Sequence, residues 1–126
     1  HEDRGEHRVP LTEEMLSIIA PLEAMRSDYV FEGQKRHRPL SNMSMLMLMR
    51  RMNAEGLTVH GFRSTFRDWA AEVANVPREV AEKSLAHAVG NDVERAYARS
   101  DLLEKRRALM RDWSRYVASG TIAESE

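Results

Sequence analysis

Along this chain apolar residues return every three or four positions in several stretches, and that spacing predicts helices. Met15, Ile18, Ile19 and Leu22 recur in this way after Thr12, which can cap a helix running to about Met25. Glu13 and Glu14 suit the positive first turn of that helix. Ser41 can cap a second helix to about Asn53, with Met43, Leu46, Met47, Met49 and Met52 as its packing surface. Five of the eight methionines fall between Met43 and Met52, and a methionine stripe at helical spacing reads as core rather than as ligand.

Thr58-Val59 leads into a helix over roughly His60 to Ala74, in which Phe62, Phe66, Trp69, Ala70 and Val73 form one buried face. Pro77 fits the first turn of a helix through about Ala88, with Val80, Ala81, Leu85 and Ala88 inward. Gly90-Asn91 breaks it, and Asp92 can cap a short helix carrying Val93, Ala96 and Tyr97. Asp101 can cap a last helix through about Ala118, with Leu102, Leu109, Met110, Trp113 and Val117 along one side. Val9-Pro10-Leu11 reads as the end of a strand, Tyr29-Val30-Phe31 as a short strand before the turn-prone Glu32-Gly33, and Gly120 onward as a frayed tail. Together these elements predict a mainly α fold, compact and multi-helical, with one or two short β-strands near the N-terminus.

Composition narrows the class. At 126 residues the chain is one domain or a piece of one, and 42% apolar with 31% charged residues is the balance of a soluble globular protein. No window approaches the roughly 20 apolar residues of a membrane span, and the polar first ten residues show no signal peptide. The absence of cysteine excludes disulfides, thiolate zinc sites and cysteine nucleophiles, and is compatible with a reducing cytoplasm. The five histidines show no H-E-x-x-H or comparable spacing, so no metal site is expected. The net charge of −1 does not advertise a nucleic-acid binder, but the charges are segregated. Basic residues gather at Lys35-Arg36-His37-Arg38, Arg50-Arg51, Arg63 with Arg67, and Lys105-Arg106-Arg107, while acid gathers at Glu13-Glu14, Glu72, Glu79, Glu82 and the C-terminal end. Only three of the nineteen basic residues are lysine, and arginine favours bidentate phosphate contacts. The plainer reading is a solvated helical surface of mixed charge.

Three positions can carry chemistry. His60 and Arg63 lie three apart on one helix face, and Arg67 joins them within a narrow arc. A guanidinium fork and an imidazole at a helix start suit an anion, although taken alone such a match is common and more often means a capping histidine with a surface arginine. His87 ends its helix, where a histidine also complements the dipole. Tyr97 sits four residues after Val93 and beside Ala96, which by default makes it a packing residue. A phenol with a pKa near 10 attacks only where its proton is removed and phosphate charge is neutralised, conditions that histidines and arginines supply.

Order and context together resemble one family. Thr58-Val59-His60-Gly61-Phe62-Arg63-Ser64-Thr65-Phe66 resembles the H-x-x-R box of the tyrosine recombinases, or phage integrases. Leu85-Ala86-His87 resembles that family's L-G-H segment, with Ala86 in place of the usual glycine, and Tyr97 falls where the family places its nucleophile. Glu6-His7-Arg8-Val9-Pro10-Leu11 is similar to the strand leaving the family's β-hairpin. Met43 to Arg51, Trp69-Ala70-Ala71-Glu72 and Arg106-Arg107-Ala108-Leu109-Met110 resemble the P4-type prophage integrases. The likeness runs from about Glu6 to Val117.

The resemblance implies residues 1–126 to be the C-terminal portion of a recombinase catalytic domain. The first catalytic arginine, the hairpin lysine used as general acid and the N-terminal DNA-clamping domain are expected to lie outside it, so the chain alone is expected to be inactive. It implies site-specific cutting and rejoining of DNA without cofactor, through a 3′-phosphotyrosyl link to Tyr97. Arg63 would hold the phosphate oxygens, His60 would assist proton removal or donate to the phosphate, and His87 would give a further hydrogen bond. Arg67, Arg38, Arg50 and Arg51 are the candidates for other DNA contacts. The implied partners are double-stranded attachment sites, further copies in a tetramer, and accessory DNA-bending and excision proteins. The expected location is the bacterial cytoplasm, in association with the nucleoid. A type IB topoisomerase-like enzyme, or a non-catalytic helical DNA-binding module, are the alternatives.

Overall fold

Pro21 divides the first predicted helix. It lacks an N–H and its ring crowds the preceding turn, so α1 (Glu13–Ile19) gives way to a 3-10 helix, Ala20–Met25, with the proline in its first turn. That helix closes at Arg26, whose left-handed φ of 49° turns its N–H back to the Glu23 carbonyl at 3.1 Å. The computed structural model describes residues 6–54, 56–87 and 102–119, and they are mainly helical. They divide into two units: Glu13–Thr65, and the segment up to Thr12 together with the chain from Phe66 onward.

In the first unit Met15, Ile19 and Leu22 are half-buried, whereas Ile18 is exposed. Tyr29-Val30-Phe31, expected as a strand, forms a run of bends, and β pairing among the described residues is a single antiparallel bridge between Glu32 and Pro39. A strand needs a neighbouring strand for its N–H and C=O groups, and here the Tyr29 N–H instead meets the Ser27 hydroxyl at 3.3 Å. Helix α2 (Ser44–Arg51) starts three residues after Ser41, whose hydroxyl lies 3.0 Å from that of Ser44, and ends where Asn53 takes a left-handed φ of 56°. The methionine stripe is not the core expected of it. Met49 is buried and Leu46 half-buried, but Met43, Met45, Met47 and Met52 are exposed. Among the described residues of this unit, no other helix packs on α2 closely enough to cover the stripe.

The second unit holds the core. Helix α3 (Val59–Glu72) contributes Phe66, Trp69 and Ala70, α4 (Arg78–Ser84) contributes Val80 and Ala81, and α5 (Leu103–Ser119) contributes Leu109. Leu85, Leu102, Met110 and Trp113 pack around them half-buried. Each fully buried large side chain here contributes about 1.5–3 kcal/mol. The aromatic rings meet edge to face, Phe66 on Trp113 at 5.2 Å and 89°, and Trp69 lies 5.1 Å from Trp113. The predicted faces were wider than the real ones. Phe62, Val73 and Val117 are exposed, Val73 because α3 stops at Glu72 and the chain reverses through Asn75 at a φ of 53°.

The segment before Thr12 is fastened to α5 rather than paired in a described strand. The guanidinium of Arg106, 2% exposed, donates to the Arg8 carbonyl, and the buried hydroxyls of Thr12 and Ser114 lie 2.7 Å apart. Ala88, the Gly90-Asn91 break, the helix expected after Asp92, Tyr97, the Asp101 cap and the tail from Gly120 lie outside the described residues. No helix among the described residues is long and apolar enough to cross a membrane.

Candidate active site

Thr58 sets the start of α3. Its hydroxyl accepts the backbone N–H of Gly61 at 2.9 Å, the N-cap to N3 bond that satisfies one orphan donor of the first turn. This places His60 in the first turn and Arg63 one turn later, both exposed. At about 100° per residue, His60, Arg63 and Arg67 share a narrow arc of the helix, beside the stripe that buries Phe66 and Ala70. The first turns therefore present an imidazole and one guanidinium near a helix N-terminus, an arrangement suited to an anion, whereas Arg67, two turns on, has its Nε 3.2 Å from Glu82 Oε1.

The end of α4 carries the next candidate residue, His87. Ala86 adopts a left-handed φ of 59°, its N–H bonds the Lys83 carbonyl at 3.1 Å, and the His87 N–H bonds the Glu82 carbonyl at 2.9 Å. These two bonds make a Schellman cap, whose left-handed residue is usually glycine because glycine has no Cβ to crowd the carbonyl. The reversal carries His87 back over its own helix, where Nδ1 lies 2.7 Å from Glu82 Oε2. Replacing Ala86 with glycine is expected to stabilise the protein by about 1 kcal/mol, the cost of holding a Cβ in this region. A higher urea midpoint at unchanged slope would show it, and an unchanged or lower midpoint would refute it.

Glu82 was read from the sequence as surface acid. It is instead buried, with Arg67 Nε 3.2 Å and Arg78 Nε 3.9 Å from its Oε1. Helical periodicity does not bring positions 82 and 87 together; the Schellman reversal does. The legible signal was the L-A-H run at the helix end.

The other arginines named for DNA contact stand elsewhere. Arg50 and Arg51 are exposed in the last turn of α2, Arg50 with its Nη1 3.8 Å from Met47 Sδ. Arg38 lies in the exposed turn that Glu32 and Pro39 close, where the Gly33 N–H meets the Arg38 carbonyl at 2.7 Å. A Cβ on Gly33 would stand 2.3 Å from the Pro39 carbonyl oxygen, so this turn requires glycine. A shallow groove of about 530 Å³ lies beside the turn, lined by Lys35, Arg38, Ser41 and Ser44 among others. The Ser27 hydroxyl and then the His37 backbone N–H hold the Glu32 carboxyl below its ordinary value of 4.5, with His37 and Arg36 adding charge and partial burial opposing. The depressed value gives the sign: the turn's stabilisation is complete above 4.5 and fades as pH falls through the lower folded value. In an acid titration the amide signals of residues 33–38 are expected to shift with that low midpoint; a midpoint at or above 4.5 would refute the arrangement.

Comparison with known proteins bears on this geometry. The chain is 33% identical over 116 residues to prophage integrase IntA of Escherichia coli (strain K12), covering 89% of this chain and 28% of that protein. It is 29% identical over 116 residues to the integrase of Shigella phage Sf6 and to prophage integrase IntS of E. coli (strain K12), covering 88% of this chain and 30% of each. No family model and no solved structure matches the chain. The three relatives agree in kind, and over the 116 matched residues this chain is similar to phage and prophage integrases. It spans less than a third of the length of these relatives.

Proposed function

We propose that the protein carrying this chain is a site-specific DNA recombinase of the tyrosine type, and that this segment holds the second half of its active site. The observation that carries the reading is the Thr58-capped start of α3, which presents His60 and Arg63 in the exposed first turns of the helix. The order of His60, Arg63, His87 and Tyr97 and the similarity to named integrases support it.

In this reading Tyr97 Oη attacks a phosphorus of the DNA backbone. The O–P bond to tyrosine forms, the bond to the 5′ oxygen breaks, and that oxygen takes a proton from a general acid supplied by another part of the protein and leaves as a hydroxyl. Arg63 balances the growing charge on the non-bridging oxygens, His60 takes the phenolic proton or donates to the phosphate, and His87 donates a further hydrogen bond. The phosphodiester energy is kept in the tyrosyl link, so religation to a new end requires no nucleotide. Arg38, Arg50 and Arg51 serve as flanking phosphate contacts, which position the protein without reading sequence. Further copies of the chain bound to paired attachment sites, with DNA-bending accessory proteins, complete the complex.

The test uses the full-length protein and a duplex of its own attachment site, nicked so that the cleaved end diffuses away. A protein–DNA adduct that survives denaturation and maps by peptide mass spectrometry to Tyr97 is the expected result. DNA binding with no adduct would instead make this a non-catalytic DNA-binding module, and relaxation of supercoils at any sequence would favour the topoisomerase reading.

A further inference from the structure

The side chain of Glu82 is 9% exposed, yet it belongs neither to the anion-facing surface of α3 nor to the apolar core. Its Oε2 is 2.7 Å from His87 Nδ1, and its own backbone carbonyl accepts the His87 N–H at 2.9 Å. The histidine is thus held twice by one residue, through its main chain and through its ring. Resting on the recombinase reading above, we infer that Glu82 is a positioning residue for His87, fixing which ring nitrogen faces the DNA phosphate.

The chemistry follows from the acceptor. A carboxylate offers no proton, so the short contact requires Nδ1 to be the protonated nitrogen. Substrate contact then falls to Nε2, and the ring cannot rotate about χ2 without breaking the bond to Glu82. The same logic orients the histidine of a serine protease and the histidines of metal sites, where a second partner fixes the tautomer. Arg67 and Arg78 in turn hold the carboxylate, Arg67 at 3.2 Å from α3 and Arg78 at 3.9 Å from one turn earlier on α4. A histidine that merely capped the helix dipole would need no buried carboxylate on its ring. The arrangement also gives Arg67 a task other than DNA contact, since its Nε is directed to Glu82.

Glu82→Gln tests the role because the amide keeps the volume and one acceptor oxygen but loses the charge. In the full-length protein, adduct formation on the nicked duplex is expected to slow by about 10–100-fold, the range for partners that orient a reactive histidine. DNA affinity is expected to stay unchanged, while the melting temperature falls because the buried carboxylate is also the partner of Arg67 and Arg78. In a His87→Ala background the same substitution is expected to add nothing, because its effect passes through the ring. A second readout needs no variant: the ring 15N shifts of His87 in the unaltered protein are expected to show Nδ1 as the protonated nitrogen. The opposite tautomer, full-speed cleavage by Glu82→Gln, or an equal loss with and without His87 would each overturn the inference. If the unaltered protein forms no adduct at all, the recombinase reading falls and this inference falls with it. An adduct that is insensitive to Glu82→Gln removes the inference alone.

Discussion

Tyr97→Phe in the full-length protein is expected to abolish the covalent adduct while DNA binding persists. Phenylalanine keeps the ring and whatever packing it provides, so the substitution removes one oxygen and its proton. Without that oxygen the tyrosyl phosphodiester cannot form, and the chain holds no cysteine to take its place as nucleophile. Gel separation of denatured complexes measures the loss directly. An adduct that persists at native yield would place the nucleophile elsewhere and leave Tyr97 as a packing residue.

The second large effect is expected at Arg63. Arg63→Ala should slow single-turnover adduct formation by about 10²–10³, the usual consequence of losing one preorganised donor to a charge-bearing oxygen. Arg63→Lys keeps the charge but not the planar fork, and is expected to recover only part of the rate. DNA affinity should fall far less than the rate, because a ground-state phosphate is one contact among many whereas the transition state concentrates charge at this one. Equal losses in affinity and rate would mean uniform binding, and would move Arg63 from the chemistry to the flanking contacts.

Much of this was legible in the residues. The helices at 13–25, 44–51, 59–72, 78–84 and 103–119 follow from periodicity, whereas the caps were legible only in part: α2 starts from Met43 with no side-chain cap rather than from Ser41, and Pro77 precedes α4 instead of standing in its first turn. What failed is tertiary in origin. The methionines of α2 have the spacing of a core face, but burial depends on a neighbour that no window of sequence reveals. Arg106 and Glu82 were read as surface charge and are buried, each because a distant or reversed piece of chain supplies its partner. His60 and Arg63 could be named from the H-x-x-R pattern. The carboxylate behind His87 could not, since residues five apart meet only when a left-handed turn folds one back.

The clasp between the segment up to Thr12 and α5 sets an order of events during synthesis. Arg8 and Arg106 are 98 positions apart, and Thr12 and Ser114 are 102. At about 5–20 residues per second, the early segment leaves the ribosome roughly 5–20 s before its partners are made. During that interval the Thr12 hydroxyl and the Arg8 carbonyl are served by water or by a chaperone rather than by α5. A nonsense codon just before Arg106 would leave the early segment permanently in that state, with Leu109, Trp113 and the clasp all missing from the aromatic core.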